Sequence, residues 1–412
     1  MILKAFLYLF ILIATFYVGF GLVFVAAFSG TAEFYAPVVI VGGLSLLFLI
    51  FCQMFCIMNS KKRKIGWISF FSLLLVSCGI YEGRNAYDRS ILRISEGSVN
   101  LYQYTPFSKG TKAVLLEEAS NLKLESDLPQ LDGATALYPL YAAFAQAVYP
   151  FSTYNLYESK VECNNTISSY RRLIDRKADI IFVAPPSAEQ LALAEDAGVT
   201  FRYTPVGKEA FVFFVNARNP VEDLTIEQLQ AIYSGEIMNW KELGGNDETI
   251  RPFQRNENSG SQTAFLKFME GKTIMSPPKE DVVGGMGGII SQTADYANYN
   301  NAIGFSFRFY ANEMVNNKDV RLLKLNGIYP DMETIRNGTY PLSASFYAIT
   351  LEDNSKPNVL KLLEWITSEQ GQYLVEKTGY CPRTIDPIVF DGEHRRGEKS
   401  FAPIISSLSG EY

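Results

Sequence analysis

Apolar positions form two unbroken runs near the start of the chain and only short periodic stretches after it. Residues 5–28 (AFLYLFILIATFYVGFGLVFVAAF) carry no charge, and neither do residues 36–58. Each run is long enough to cross about 30 Å of hydrocarbon as a helix. A third run, 65–81, lies near the lower length limit of roughly 17 residues and ends at Glu82. Lys61, Lys62, Arg63 and Lys64 follow the second run, and the positive-inside rule makes that tetrad cytoplasmic. The third run would then carry everything beyond residue 82 outward. A competing reading begins at Met58. The stretch MNSKKRKIGWISFFSLLLVSC has the basic, apolar and small-residue order of a lipoprotein signal ending at Cys78.

Beyond the apolar runs the pattern changes twice. Residues 83–128 are polar and without a sustained apolar period, which predicts a linker. After them, helix-like and strand-like patterns alternate. Leu137, Tyr141, Phe144 and Val148 recur at helical spacing between Gly133 and Pro150. The runs DIIFV (179–183) and AFVFFV (210–215) have the length and apolarity of buried strands. Thr225 and Gln228 form a capping box ahead of Ile226, Leu229, Ile232 and Tyr233, and Gly235 supplies the stop. A last helical period spans 358–377, and the alternation as a whole predicts an α/β fold with mostly parallel sheets.

Charge narrows the partners. Of the net charge of −6 over 412 residues, residues 1–82 hold five basic and two acidic side chains, a balance of +3, which leaves −9 for the remainder. A domain that acidic does not suit nucleic acid or anionic lipid. An anion bound there must be held by local donors. Of five cysteines only Cys163 and Cys381 fall beyond residue 82, and their spacing gives no reason to pair them. The single histidine, His394, lies in a charged stretch with no ligand or nucleophile pattern and reads as a solvated surface residue. Signatures of hydrolases, kinases and metal enzymes are missing, so the reading is of a non-enzyme without cofactor or metal.

Three polar segments stand just ahead of predicted helices: Asp132-Gly133-Ala134-Thr135, 164–169 (NNTISS) and 255–261 (RNENSGS). A helix N-terminus presents unpaired N–H groups and a partial positive charge, and binds anions without a net positive protein. Each segment alone is adequately explained as an ordinary cap. Three together, one of them with the planar donor fork of Arg255 and a Glu257 able to orient it, point to a tetrahedral oxyanion site.

Residues from about 130 to 382 resemble the phosphate-binding protein family of bacterial phosphate ABC transporters. The resemblance runs in order through DGATALYPLY, LTIEQLQAIYSGEIMNWKELGG, RNENSGSQTAF, AIGFSF, IRNGTYPLSASFYAIT and SEQGQYLVEKTGYCP. It implies a two-lobed type II solute-binding-protein fold with the anion clamped between lobes, behind N-terminal transmembrane helices. The expected divisions are a membrane anchor over 1–82, a linker over 83–128, and a binding domain over 129–412. Lobe one would take about 129–208 and 301–412, and lobe two about 216–300. Carried over by position, Thr135, Ala136 and Thr166 would bind the ligand from one lobe and Arg255, Ser259, Gly260 and Ser261 from the other. The carboxylate with which the family accepts the proton of hydrogen phosphate falls at Ala184. Ser187, Gln190 and Glu209 are candidates for a replacement acceptor. The expected role is extracytoplasmic capture of phosphate, or of another tetrahedral oxyanion such as sulfate or molybdate, for ABC permease subunits. The alternative is a membrane-anchored oxyanion sensor or assembly factor on the same fold.

Overall fold

A computed structural model of the chain describes residues 2–28, 31–91, 93–94, 99–255, 257–276, 296–315 and 318–383. It divides into two compact units, Met1–Ile91 and Leu92–Tyr412. His394 lies outside the described residues.

The first unit consists of three helices, α1 (Ile2–Phe28), α2 (Ala32–Met54) and α3 (Ser60–Ser90). Each has the length and apolarity to cross a membrane. The third run, marginal by its own length, is the middle of a 31-residue helix that begins at the basic tetrad. Asn59 caps that helix by accepting from the Lys62 N–H at 2.9 Å, which ends the turn after α2. Cys78 lies within α3 and not at its end. The few polar side chains facing neighbouring helices find partners there: Tyr8 donates to the Leu47 carbonyl at 3.2 Å and Trp67 Nε1 to Gln53 Oε1 at 3.1 Å. Apolar side chains such as Phe10, Phe20, Phe48 and Leu75 point outward, as lipid-facing positions do.

The second unit opens with β1 (Arg93–Ile94), β2 (Leu131–Gly133), α4 (Tyr138–Val148), α5 (Asn165–Ile174), β3 (Ile180–Val183) and α6 (Ala188–Asp196). There follow β4 (Phe201–Asn216), β5 (Asp223–Leu224), α7 (Ile226–Ser234), β6 (Arg251–Pro252), α8 (Gly260–Phe268), β7 (Tyr296–Ala297) and β8 (Ala302–Phe307). The chain closes with β9 (Val320–Leu322), β10 (Lys324–Leu325), α9 (Met332–Arg336), β11 (Ser343–Leu351), α10 (Pro357–Ile366), α11 (Glu369–Thr378) and β12 (Cys381–Pro382).

The 16-residue strand β4 organises the unit. Its first ten residues pair with β11 over Phe201↔Leu351 to Ala210↔Ser343, and its last six with β8 and β9. Strand order is β2-β3-β11-β4-β8-β6, so β4 passes from one sheet region to another and divides the unit into two lobes. The β2/β3 and β6/β8 pairs are parallel, but every pairing made by β4 and β11 among the described residues is antiparallel. The sheet is therefore mixed and not mostly parallel as the pattern predicted. Strands that cross between lobes run out and back side by side, which makes them antiparallel.

Three other expectations shift. The chain does not return to lobe one in one step at residue 301: β8 pairs with the lobe-two half of β4, Phe309 and Met314 then pack on the lobe-one core, β9 pairs again with the lobe-two half, and β11 completes the return. The helical period over 358–377 is broken after Ile366, where α11 starts at Glu369. Residues 99–128 are not a free linker. Ala113 and Leu124 are buried in the lobe-one core with Phe144, Trp365 and Ile366, and Leu101, Tyr104, Phe107, Leu116 and Leu122 pack against it.

Glu209 stands at the crossing, at the end of β4's lobe-one half, and is almost wholly buried. Its carboxylate accepts from the Ala210 N–H at 2.9 Å and the Phe309 N–H at 3.3 Å. Burial pushes its pKa up from 4.5 to about 7, against the smaller opposing effects of those N–H groups and of Arg308. The folded protein therefore holds this proton more tightly than the unfolded chain does. The stability it contributes is full below about pH 4.5 and is lost as pH rises through 7, on the order of 3 kcal/mol in all. Denaturant unfolding of wild type at about pH 5 and about pH 8 is expected to show that fall, and Glu209→Gln to flatten it. An equal slope in both proteins would place the titration elsewhere.

Candidate functional site

The first and third expected site segments follow strands and the second follows the single bridge of Val161 to Leu131; a chain leaving a sheet must turn, and a helix start then supplies N–H donors. The first segment follows β2. Gly133 pairs with Phe182 in parallel register, and a β-carbon built on Gly133 would lie 2.5 Å from the Phe182 carbonyl oxygen and 2.9 Å from Tyr141 Cε1. Only glycine allows that approach. Ala134 donates its N–H to the same carbonyl at 2.9 Å, and the chain then makes a 3-10 turn over Thr135–Leu137 before entering α4. Thr135 is buried and Ala136 half-buried, and the Ala136 carbonyl accepts from the buried Tyr380 hydroxyl.

The second segment starts α5. Asn165 takes a left-handed conformation, φ 63°, and its side chain accepts from the Ser168 N–H at 3.1 Å. Thr166 comes next, buried in the first turn. β3 ends beside it: Tyr170 on α5 donates to the Ala184 carbonyl at 2.7 Å.

The third segment belongs to lobe two and leads from β6 into α8. The Arg255 N–H donates to Gln262 Oε1 at 2.9 Å, and Ser259 caps α8 by accepting from the Gln262 N–H at 3.2 Å. One glutamine side chain thereby ties the start of the loop to the first turn of the helix. Ser259 and Gly260 are buried, Arg255 and Ser261 half-buried, and Glu257 exposed.

The lobes meet at Gly260. A β-carbon there would lie 3.4 Å from Ala184 Cβ, 3.5 Å from Thr166 Oγ1 and 3.6 Å from Phe307 Cε2. The first turns of α5 and α8, from opposite lobes, therefore converge on one small volume with Ala184 on its wall. Of the candidate replacement acceptors, Ser187 and Gln190 are already committed. They form the capping box of α6 with each other, and both reach across to lobe two. Ser187 Oγ lies 2.8 Å from Asn258 Oδ1, Gln190 Nε2 donates to the Asn258 carbonyl at 3.1 Å, and Asn258 Nδ2 donates to Glu189 Oε2 at 2.5 Å. Glu209 is held at the lobe crossing by two backbone N–H groups. Sequence reasoning missed Asn258 as a bridge between lobes. Its left-handed φ of 61° directs the side chain, and no local pattern announces that. Cys163 and Cys381 are both buried, and no disulfide joins them.

The profile of the PBP superfamily domain matches residues 126–370. The phosphate-binding protein PstS of Borreliella burgdorferi is 27% identical over 178 residues, 42% of this chain and 62% of that protein. PstS of Bacillus subtilis is 28% identical over 172 residues, 41% of this chain and 54% of that protein. The chain thus spans somewhat over half the length of these relatives. Among solved structures, an ABC-type phosphate transport receptor from Vibrio cholerae matches with a TM-score of 0.44 at 21% identity, over 61% of this chain and 99% of that one.

Proposed function

Since the chain belongs to the PBP superfamily, we propose that its second unit binds phosphate, or a tetrahedral oxyanion of the same shape, outside the cytoplasmic membrane and presents it to an ABC permease. The helices α1–α3 anchor the protein, with the basic start of α3 on the cytoplasmic side. The reading rests above all on the convergence at Gly260 of helix starts from two lobes. Such starts supply aligned N–H donors and a partial positive charge to a ligand that the acidic surface would otherwise repel. Thr135, Ala136 and Thr166 are the donors of lobe one, and Arg255, Ser259, Gly260 and Ser261 those of lobe two. The relatives from Borreliella burgdorferi and Bacillus subtilis, both phosphate-binding proteins, agree with phosphate as the ligand.

Titration calorimetry of the full-length protein in detergent tests this directly. Phosphate is expected to bind one to one and saturably, with sulfate, arsenate and molybdate as competitors; absence of heat with all four would overturn the proposal.

Ala184 sets the selectivity. Its methyl group offers no acceptor to a ligand hydroxyl, and a buried donor without a partner costs roughly 1–3 kcal/mol. The wild type is therefore expected to discriminate weakly between hydrogen phosphate and sulfate. Ala184→Asp supplies an acceptor that a protonated anion can satisfy and an unprotonated one cannot. It is expected to shift the phosphate-to-sulfate affinity ratio about tenfold or more towards phosphate, mainly through loss of sulfate. An unchanged ratio would mean that another group already accepts that proton.

A further inference from the structure

Behind the two lobe-one segments lies a polar cluster that makes no part of the expected ligand contacts. Asp132, fully buried at the end of β2, receives the Gly133 N–H at 2.7 Å and the Asn164 N–H at 2.9 Å. It also receives the Asn164 side-chain amide at 2.9 Å and the Ser169 hydroxyl at 3.1 Å. Arg172, from the last turn of α5, approaches it at 2.8 Å as an ion pair without hydrogen-bond alignment and also pairs with Glu162. Glu162 in turn accepts the Asn164 amide at 3.0 Å and the Ser159 N–H at 3.2 Å.

We propose that Asp132 is a positioning residue for oxyanion binding, a single carboxylate that locks the start of the Thr135 turn and the start of α5 into one rigid frame. The connectivity carries the inference. Asp132 stands three residues before Thr135, and Asn164 two residues before Thr166. The carboxylate binds the backbone of both segments at once, which no other side chain in the cluster does. Asparagine at 132 would keep the volume but turn an amide donor against either the Asn164 amide and Arg172 or the Gly133 and Asn164 N–H groups, so in either orientation the junction loses a bond that holds the two segments together. The sign of the effect separates positioning from field. Asp132 and Glu162 outnumber Arg172 in charge, so if the cluster acted on the ligand only through its field, removing the Asp132 charge would tighten anion binding. A positioning role weakens it.

The inference rests on the oxyanion-binding reading, and the test separates the two. Full-length protein in detergent is titrated with inorganic phosphate, for wild type, Asp132→Asn, Thr166→Ala, Arg255→Lys and the doubles of Asp132→Asn with each. Asp132→Asn is expected to weaken binding about 30-fold, with Thr166→Ala costing about tenfold alone but under about threefold on the Asp132→Asn background. The loss with Arg255→Lys, which lies in the other lobe, is expected to be additive. Should Asp132→Asn fail to fold, Asn164→Ala, which keeps the Arg172 pairing and the backbone bond but removes the side-chain bond to Asp132, is expected to couple to Thr166→Ala in the same direction and more weakly. Affinity at or above wild type, or full additivity with Thr166→Ala, overturns the positioning role while leaving the binding function standing. A wild type that binds no phosphate instead removes the functional reading beneath it.

Discussion

Arg255→Ala is expected to lower oxyanion affinity by at least about a hundredfold, the largest functional effect of any single substitution in the site. Arginine presents two parallel N–H donors that match two oxygens of a tetrahedral anion, and charge-assisted hydrogen bonds of that kind are about twice as strong as neutral ones. Truncating one partner of a buried charged pair typically costs about 2–5 kcal/mol or more, and each 1.4 kcal/mol is about a factor of ten in affinity. The bond from the Arg255 backbone N–H to Gln262, which ties the start of the loop to α8, is kept in the variant. Calorimetry with phosphate reads the affinity, and thermal unfolding without ligand should give a midpoint close to wild type. Arg255→Lys keeps the charge but not the planar fork, and is expected to recover only part of the loss. Retention of wild-type affinity by Arg255→Ala would remove this arginine from the ligand shell.

The second large effect concerns folding. Gly133→Ala is expected to destabilise the second unit by about 3 kcal/mol or more, at the upper end of what overpacking usually costs. The added carbon would stand 2.5 Å from the Phe182 carbonyl and 3.1 Å from the Phe182 nitrogen, atoms fixed by the β2/β3 ladder and unable to rotate aside. Tyr141 Cε1, 2.9 Å away, belongs to a ring stacked on Phe182 with centroids 5.0 Å apart in the lobe-one core, so it has little room to move. Because β2 ends where the Thr135 turn begins, any backbone shift that relieves the clash also displaces that turn. Gly110→Ala serves as a control: its position has φ 74° but open space around it, and its cost should be limited to about 1 kcal/mol of backbone strain. Chemical denaturation of both variants beside wild type makes the comparison.

Several features were legible in the chain because they depend on neighbours within four residues. The capping box Thr225–Gln228 and the left-handed stop at Gly235 form as the pattern predicts, with the Thr225 side chain accepting from the Gln228 N–H at 3.1 Å. The strand at Ile180–Val183 and the core face of α4 follow from apolarity and helical period, and the apolar runs give α1, α2 and the centre of α3. Extended resemblance supplied what no periodicity could, the two-lobed plan.

Other features needed partners far away in sequence. The core contribution of residues 99–128 was illegible because Leu101, Phe107, Ala113 and Leu124 follow no regular spacing; each is buried by the lobe-one core and not by its own segment. The return to lobe one is not the single step that was expected, because β8 and β9 pair with the lobe-two half of β4 while Phe309 between them packs in the lobe-one core, and backbone pairing leaves no trace in side-chain chemistry. Asp132 could be seen as part of a polar turn, yet its role as a junction arises only when β2 and α5 are packed together.

The amino-acid sequence by itself determined the membrane-length helices, the acidity of the chain beyond them, and the three polar turns at helix starts, since hydrophobicity, charge and capping are local properties. The tertiary structure alone decided that helix starts from two lobes meet at Gly260, that Ala184 forms their wall, and that Glu209 is buried where the lobes cross. Those facts are distances between residues tens of positions apart, fixed when β4 and β11 pair and the lobes close.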